Sequence, residues 1–237
     1  MPWNWREQMI IAGLQKLTLL DYPGKVACTV FTPGCNLRCP YCHNATFALG
    51  KGGGEITLDE FFAFLKKRES VLDGVCVTGG EPLMQKDLER FLKDIKNLGL
   101  LVKLDTNGFY PQKLARLIEG GAVDYIAMDI KAPAEKYPEV TGAEDADVGL
   151  VKESVKIILG SGVKYEFRTT AVKELLNPED FYDMAKLIDG AGAYFIQNFV
   201  DSGDIIKENL HPFSKEELGE AKKFAEKVLP FVSLRGV

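Results

Sequence analysis

Six times after about residue 25, a short run rich in β-branched residues gives way to an amphipathic stretch. The runs at 26–32, 74–78, 100–105, 125–130, 164–172 and 194–199 have strand composition and are bounded by Gly, Pro, Asn or Asp. Helical periodicity covers 58–67, 87–98, 111–119, 151–159, 178–188 and 214–228, with Leu88, Phe91, Leu92 and Ile95 on one face of the second. Thr57 with Glu60, and Ser214 with Glu217, carry the spacing of capping boxes. Strands joined through helices pair in parallel by right-handed crossovers. Six units are too few for a closed eight-stranded barrel, which leaves an open (βα)6 barrel or a doubly wound sheet. In either, functional groups gather at the C-terminal ends of the strands. Residues 1–24 are expected to form an N-terminal extension or hairpin, and 25–237 a single domain.

Composition narrows the functional classes. Apolar residues make up 46% of the chain, enough for a substantial core, so disorder is excluded. With 29 Lys+Arg against 34 Asp+Glu the net charge is −5, which argues against nucleic-acid binding through bulk positive charge. No run approaches the ~20 apolar residues of a membrane span, and residues 1–7 lack the pattern of a signal peptide. A cytoplasmic location is expected.

Three of the five cysteines, Cys35, Cys39 and Cys42, fall within eight residues in the loop after the first of the six strands. In a reducing compartment such a cluster points to metal before disulfide. A structural zinc site normally has four protein ligands, and only His43 or Cys28 stands near enough in sequence to be the fourth. A three-thiolate iron–sulfur cluster instead leaves one iron open to a small ligand. Cys28 and Cys76 lie in apolar runs and read as small core residues. Thr78-Gly79-Gly80-Glu81-Pro82 follows the second strand; its glycines permit close backbone approach, and Glu81 can accept from an amine.

The segment 31–44, with its Cys35, Cys39, Tyr41-Cys42 spacing, followed by Gly79-Gly80-Glu81-Pro82, resembles the radical S-adenosylmethionine superfamily. Residues 13–25 are similar to the start of the anaerobic ribonucleoside-triphosphate reductase activating branch, with pyruvate formate-lyase activating enzymes as close relatives. The resemblance runs from about Gly13 to Phe199. It implies the partial, open (βα)6 TIM-like barrel. It also implies a [4Fe–4S] cluster on Cys35, Cys39 and Cys42, with S-adenosylmethionine on the fourth iron, cleaved by one electron to methionine and a 5′-deoxyadenosyl radical. Carried over residue by residue, Tyr41, Cys42 and His43 run along the adenosine, and Gly79, Gly80 and Glu81 receive the methionyl amine. Asp129, Ile130 and Lys131 contact the cofactor, Arg168 meets its carboxylate, and Gln197 stands in for the adenine-side residue of the last strand. Asp105, Thr106, Met128 and Asp129 match positions that carry a monovalent cation in pyruvate formate-lyase activating enzymes. Asp105 capping a turn and Asp129 pairing with Lys131 is the alternative for these carboxylates.

By the same resemblance the substrate is a glycyl radical enzyme, from which a backbone glycine hydrogen is abstracted, and a flavodoxin or ferredoxin supplies the electron. Two other readings stand beside it: a radical enzyme acting on a small molecule or RNA, and a non-catalytic iron–sulfur or zinc protein. The remaining features read plainly. The glycine-rich 50–54 segment lacks the order of a phosphate loop and reads as a flexible connection. His211 reads as a surface residue, Lys66-Lys67-Arg68 and Lys222-Lys223 as solvated helix faces, and Phe61, Phe62, Phe64 and Leu65 as core.

Overall fold

The structure is a computed structural model that describes residues 9–51 and 56–236. Residues 1–8 of the expected N-terminal extension, and most of the glycine-rich 50–54 segment, lie outside the described residues. The strands are β1 Gly13–Thr18, β2 Ala27–Thr32, β3 Gly74–Gly79, β4 Leu101–Thr106, β5 Tyr125–Asp129, β6 Lys164–Ala171, β7 Tyr194–Asn198 and β8 Val232–Arg235. The helices are α1 Ala45–Ala48, α2 Leu58–Arg68, α3 Leu88–Asn97, α4 Pro111–Glu119, α5 Tyr137–Thr141, α6 Val148–Gly160, α7 Asp180–Leu187 and α8 Lys215–Ala225. One sheet takes the strands in chain order from β1 to β8. This α/β arrangement is that of a partial, open TIM-like barrel: six parallel strand–helix units with an antiparallel strand added at the start and a parallel one at the end.

The described residues group into two compact units. The first comprises residues up to Asn36, Thr46–Thr106 and Gln112–Ile126. Here β1 pairs antiparallel with β2, and β2, β3 and β4 pair in parallel. Thr57 and Glu60 form the expected capping box on α2. Phe61 of α2 and Phe91 of α3 meet with ring centroids 5.5 Å apart. Both are buried, as are Leu65, Leu92 and Ile95, so the apolar stripes of α2 and α3 form this unit's core.

The second unit comprises Leu37–Ala45, Asn107–Pro111 and the residues from Ala127 onward. Within it β6, β7 and β8 pair in parallel. The Ser214–Glu217 box caps α8, and Phe181 of α7 packs edge-on against Phe213 at 6.0 Å. The connection after β5 contains α5, which ends at Gly142 in the left-handed conformation at φ 61°. Among the described residues no helix is long and apolar enough to cross a membrane.

Candidate functional site

In the first unit two turns leave neighbouring strands at the same level. β2 and β3 run in register from Ala27 beside Gly74 to Thr32 beside Gly79. The Pro33-Gly34-Cys35 turn and the Gly79-Gly80-Glu81 turn therefore emerge side by side. Backbone hydrogen bonds join them: Gly80 N–H donates to Thr32 O and Glu81 N–H to Gly34 O, each at 2.8 Å. Gly34 N–H donates to Phe47 O at 2.8 Å, and Gln85 Nε2 donates to Pro33 O at 2.8 Å. Gly79 sits at φ 109°, and a Cβ on Gly80 would stand 1.9 Å from Gly34 O. Both glycines are thus required by the approach of backbone to backbone. Glu81 is buried; its Oε1 accepts from Leu83 N–H at 3.0 Å and from the Thr106 hydroxyl at 2.9 Å. It therefore caps its own turn and ties it to the end of β4. Cys35 is half-buried, its thiol 3.9 Å from Asn36 Oδ1.

The sequence reading missed Lys103. The register sets Thr29, Cys76 and Lys103 side by side on β2, β3 and β4, and residues two apart on a strand share a face. Lys103 is 1% exposed, and its ammonium forms an ion pair with Asp105. Cys76 is buried, its Sγ 3.8 Å from the ammonium and 3.7 Å from Asp105 Oδ1. The Lys103–Asp105 spacing inside an otherwise apolar strand was the signal available.

In the second unit the Leu37–Cys42 segment is held by its backbone from two directions. Arg38 N–H donates to Thr141 O at 2.8 Å, and Gly142 approaches so closely that a Cβ there would lie 2.6 Å from Arg38 O. On the other side Pro40 O accepts from Ile206 N–H at 3.2 Å and Lys207 N–H at 2.9 Å. Cys42 N–H closes the turn onto Cys39 O at 3.1 Å. Burial pushes the Cys39 thiol up to about 11 and raises that of Cys42. Thiolates here require a cationic partner such as iron. Tyr41 is buried, and its hydroxyl has no hydrogen-bond partner among the described residues. The His43 ring stacks on Phe199 at 5.5 Å, and burial lowers its pKa.

Asp129, at the end of β5, accepts from Arg168 Nε at 3.0 Å and from Lys131 Nζ at 2.9 Å. Burial works to raise the Asp129 pKa, but these two cations hold it at about 2. Lys131 Nζ lies 5.9 Å from the centre of the Tyr41 ring, which links this charged group to the cysteine segment. Ile130 is buried, its carbonyl accepting from Thr169 Oγ1 at 2.7 Å. Gln197 on β7 stands in register with Thr170 on β6 and Arg235 on β8, on the strand face shared by Arg168. Sequence reasoning also missed Glu166 and Arg235. Glu166 is 2% exposed and is gripped by both terminal nitrogens of Arg235, at 3.2 and 2.7 Å. Arg235 in turn lies 3.6 Å over the Phe195 ring.

Among the described residues no three His, Cys, Asp or Glu side chains are gathered to hold a single metal ion. The soft thiols, their anchored segment and the partnerless buried Tyr41 hydroxyl fit an iron–sulfur cluster with an organic ligand beside it. The residues expected to bind a monovalent cation do not fit one. Asp105 is paired with Lys103, the Thr106 hydroxyl donates to Glu81, and Asp129 is paired with Arg168 and Lys131. Met128 is fully buried against Gly108.

The sequence pattern of the radical SAM superfamily matches residues 29–188. A protein of Methanocaldococcus jannaschii with the provisional name glycyl-radical enzyme activating enzyme is 34% identical over 235 residues, 96% of each chain. The pyruvate formate-lyase-activating enzyme of Clostridium pasteurianum is 30% identical over 176 residues, 72% of this chain and 71% of that one. The crystal structure of a radical SAM methyltransferase from Sphaerobacter thermophilus has the same fold, with a TM-score of 0.72 at 17% identity over 92% of this chain and 68% of that one. The chain belongs to the radical SAM superfamily, whose oxidoreductases work with a [4Fe–4S] cluster and S-adenosylmethionine.

Proposed function

We propose that the chain is an activating enzyme that removes a hydrogen atom from a backbone glycine of a glycyl radical enzyme, with flavodoxin or ferredoxin as electron donor. The observation that carries this reading is the 34% identity to an activating enzyme along 96% of both chains. In this reading Cys35, Cys39 and Cys42 hold the cluster. Bound together, the cluster and S-adenosylmethionine supply one-electron cleavage of a sulfonium bond and a radical able to take a hydrogen atom. The chain's own residues bind and orient. The Gly79-Gly80 turn presents backbone with no side chain in the way. Arg168, Lys131 and Arg235 carry one positive charge more than Asp129 and Glu166 neutralise, which suits a carboxylate. Asp129 fixes Arg168 by its Nε and so sets the plane of the guanidinium. Tyr41 brings a buried hydroxyl beside Cys42. Glycine suits such a reaction because the flanking amides stabilise its Cα radical and no side chain blocks approach.

Arg168→Gln will leave iron and sulfide content unchanged and weaken S-adenosylmethionine binding by about tenfold or more, as loss of a charge-assisted contact does. Titration of cluster-loaded protein reads this; equal affinity in the variant removes Arg168 from the cofactor site. For the activity itself, reduced, cluster-loaded protein is incubated with S-adenosylmethionine and candidate glycyl radical enzymes. The expected result is a glycyl radical signal by electron paramagnetic resonance, with deuterium passing from Cα-labelled glycine into 5′-deoxyadenosine. A metabolite that stimulates cleavage and transfers deuterium, where no glycyl radical enzyme does, replaces this reading with that of a small-molecule enzyme.

A further inference from the structure

We propose that Lys103 takes the place an alkali cation would otherwise fill beside Asp105, so that the protein binds S-adenosylmethionine without one. The inference rests on the reading above in placing Asp105 near that cofactor; the pairing of Lys103 with Asp105 stands on the structure alone. Lys103 is fully buried in the middle of β4, and its ammonium pairs with the carboxylate of Asp105 on the same strand face. The Cys76 thiol stands 3.8 Å from the ammonium, and the centre of the Tyr125 ring 6.0 Å away. Taking an ammonium out of water is costly unless a counter-charge meets it, and the Asp105 carboxylate supplies that charge. A metal ion at the same oxygens would have to displace the ammonium or sit against a like charge in a medium that screens poorly. The ammonium has a further advantage: it is tethered to the strand that carries Asp105, so its local concentration exceeds that of any dissolved ion. The other oxygens expected to bind a cation are engaged in the same way. The Thr106 hydroxyl donates to Glu81, and Asp129 is held by Arg168 and Lys131. Charge balance around these carboxylates is therefore built into the chain.

The test uses thallium(I) as a probe for alkali cations, followed by its magnetic resonance signal. It also uses S-adenosylmethionine titration in potassium, sodium or choline salts at equal ionic strength. Wild-type protein should leave the thallium signal unshifted, and its affinity for S-adenosylmethionine should change by less than about twofold between salts. Lys103→Met leaves Asp105 without its ammonium. This variant should bind thallium, lose about tenfold in affinity in choline, and recover it in potassium or sodium. Lys103→Gln, closer in polarity and length, gives the same reading if the methionine variant does not fold. Stoichiometric thallium binding by the wild type overturns the proposal, as does a folded charge-deletion variant that ignores alkali ions. The thallium arm needs neither cluster nor cofactor. Wild-type protein that loads a cluster yet binds no S-adenosylmethionine in any salt counts against the proposed function, while the thallium result still judges Lys103.

Discussion

Replacing Cys35, Cys39 or Cys42 by alanine will abolish iron and sulfide loading, while Cys28→Ala and Cys76→Ala will retain it. Cys28 is fully buried in β2, where burial pushes its thiol up to about 12, and Cys76 is fully buried in β3. Neither stands in a segment that can wrap an inorganic centre. The triplet lies in the connection from β2 to α1, where the chain turns around Pro33-Gly34 and then around Cys39-Pro40. Losing one thiolate leaves an iron without its protein ligand, and a cluster on two thiolates is exposed to solvent and loss. Iron and sulfide counts on the five variants settle the matter. Full loading in any triplet variant removes that cysteine from the ligand set.

Gly80→Ala will be nearly as damaging, although it adds one methyl group to a surface-proximal turn. Its Cβ would stand 1.9 Å from Gly34 O and 2.6 Å from Gly34 C. Both partners are backbone, so no side chain can rotate away, and the two turns must part. The Glu81 N–H to Gly34 O bond goes with them. A destabilisation of about 3 kcal/mol or more follows from overpacking of this severity. Loading of the cluster should fall with it, because Gly34 directly precedes Cys35. Gly219→Ala is the matching control: it lies within α8 and nothing stands within 4 Å of its added Cβ. There the same substitution should stabilise by about 0.5–1 kcal/mol, since alanine restricts the unfolded chain and favours the helix. Denaturation curves of the two variants should move in opposite directions; a Gly80→Ala curve that overlays the wild type contradicts the steric account.

The parallel strands and their helices were legible because each obeys a single period over several residues. The 100–105 and 125–130 runs became β4 and β5 within a residue at each end. Elements without such a pattern were not legible. α5 is five residues long with a proline at its second position, and it is fixed by contact with the cysteine segment. β8 follows a helix at a short interval and spans four residues, of which Arg235 is held by a carboxylate 69 positions away. The cysteine spacing and the Gly-Gly turn were legible because their chemistry is local. The commitments of the carboxylates were not. Lys103 reads as a polar interruption in an apolar strand, and only register and burial show that its ammonium is spent on Asp105. The same holds for Thr106, whose hydroxyl is taken by Glu81 from the end of another strand.

The double hold on the Leu37–Cys42 segment bears on how the protein acquires its metal. Arg38 is fastened to Thr141 and Pro40 to Ile206 and Lys207 through main-chain hydrogen bonds. These hydrogen bonds constrain the path of Cys39 and Cys42 and so lower the backbone entropy that holding a cluster would cost. Hydrogen bonds of the fold itself thus share in shaping the cysteine segment, whereas small zinc domains depend on their ion for the whole of their fold.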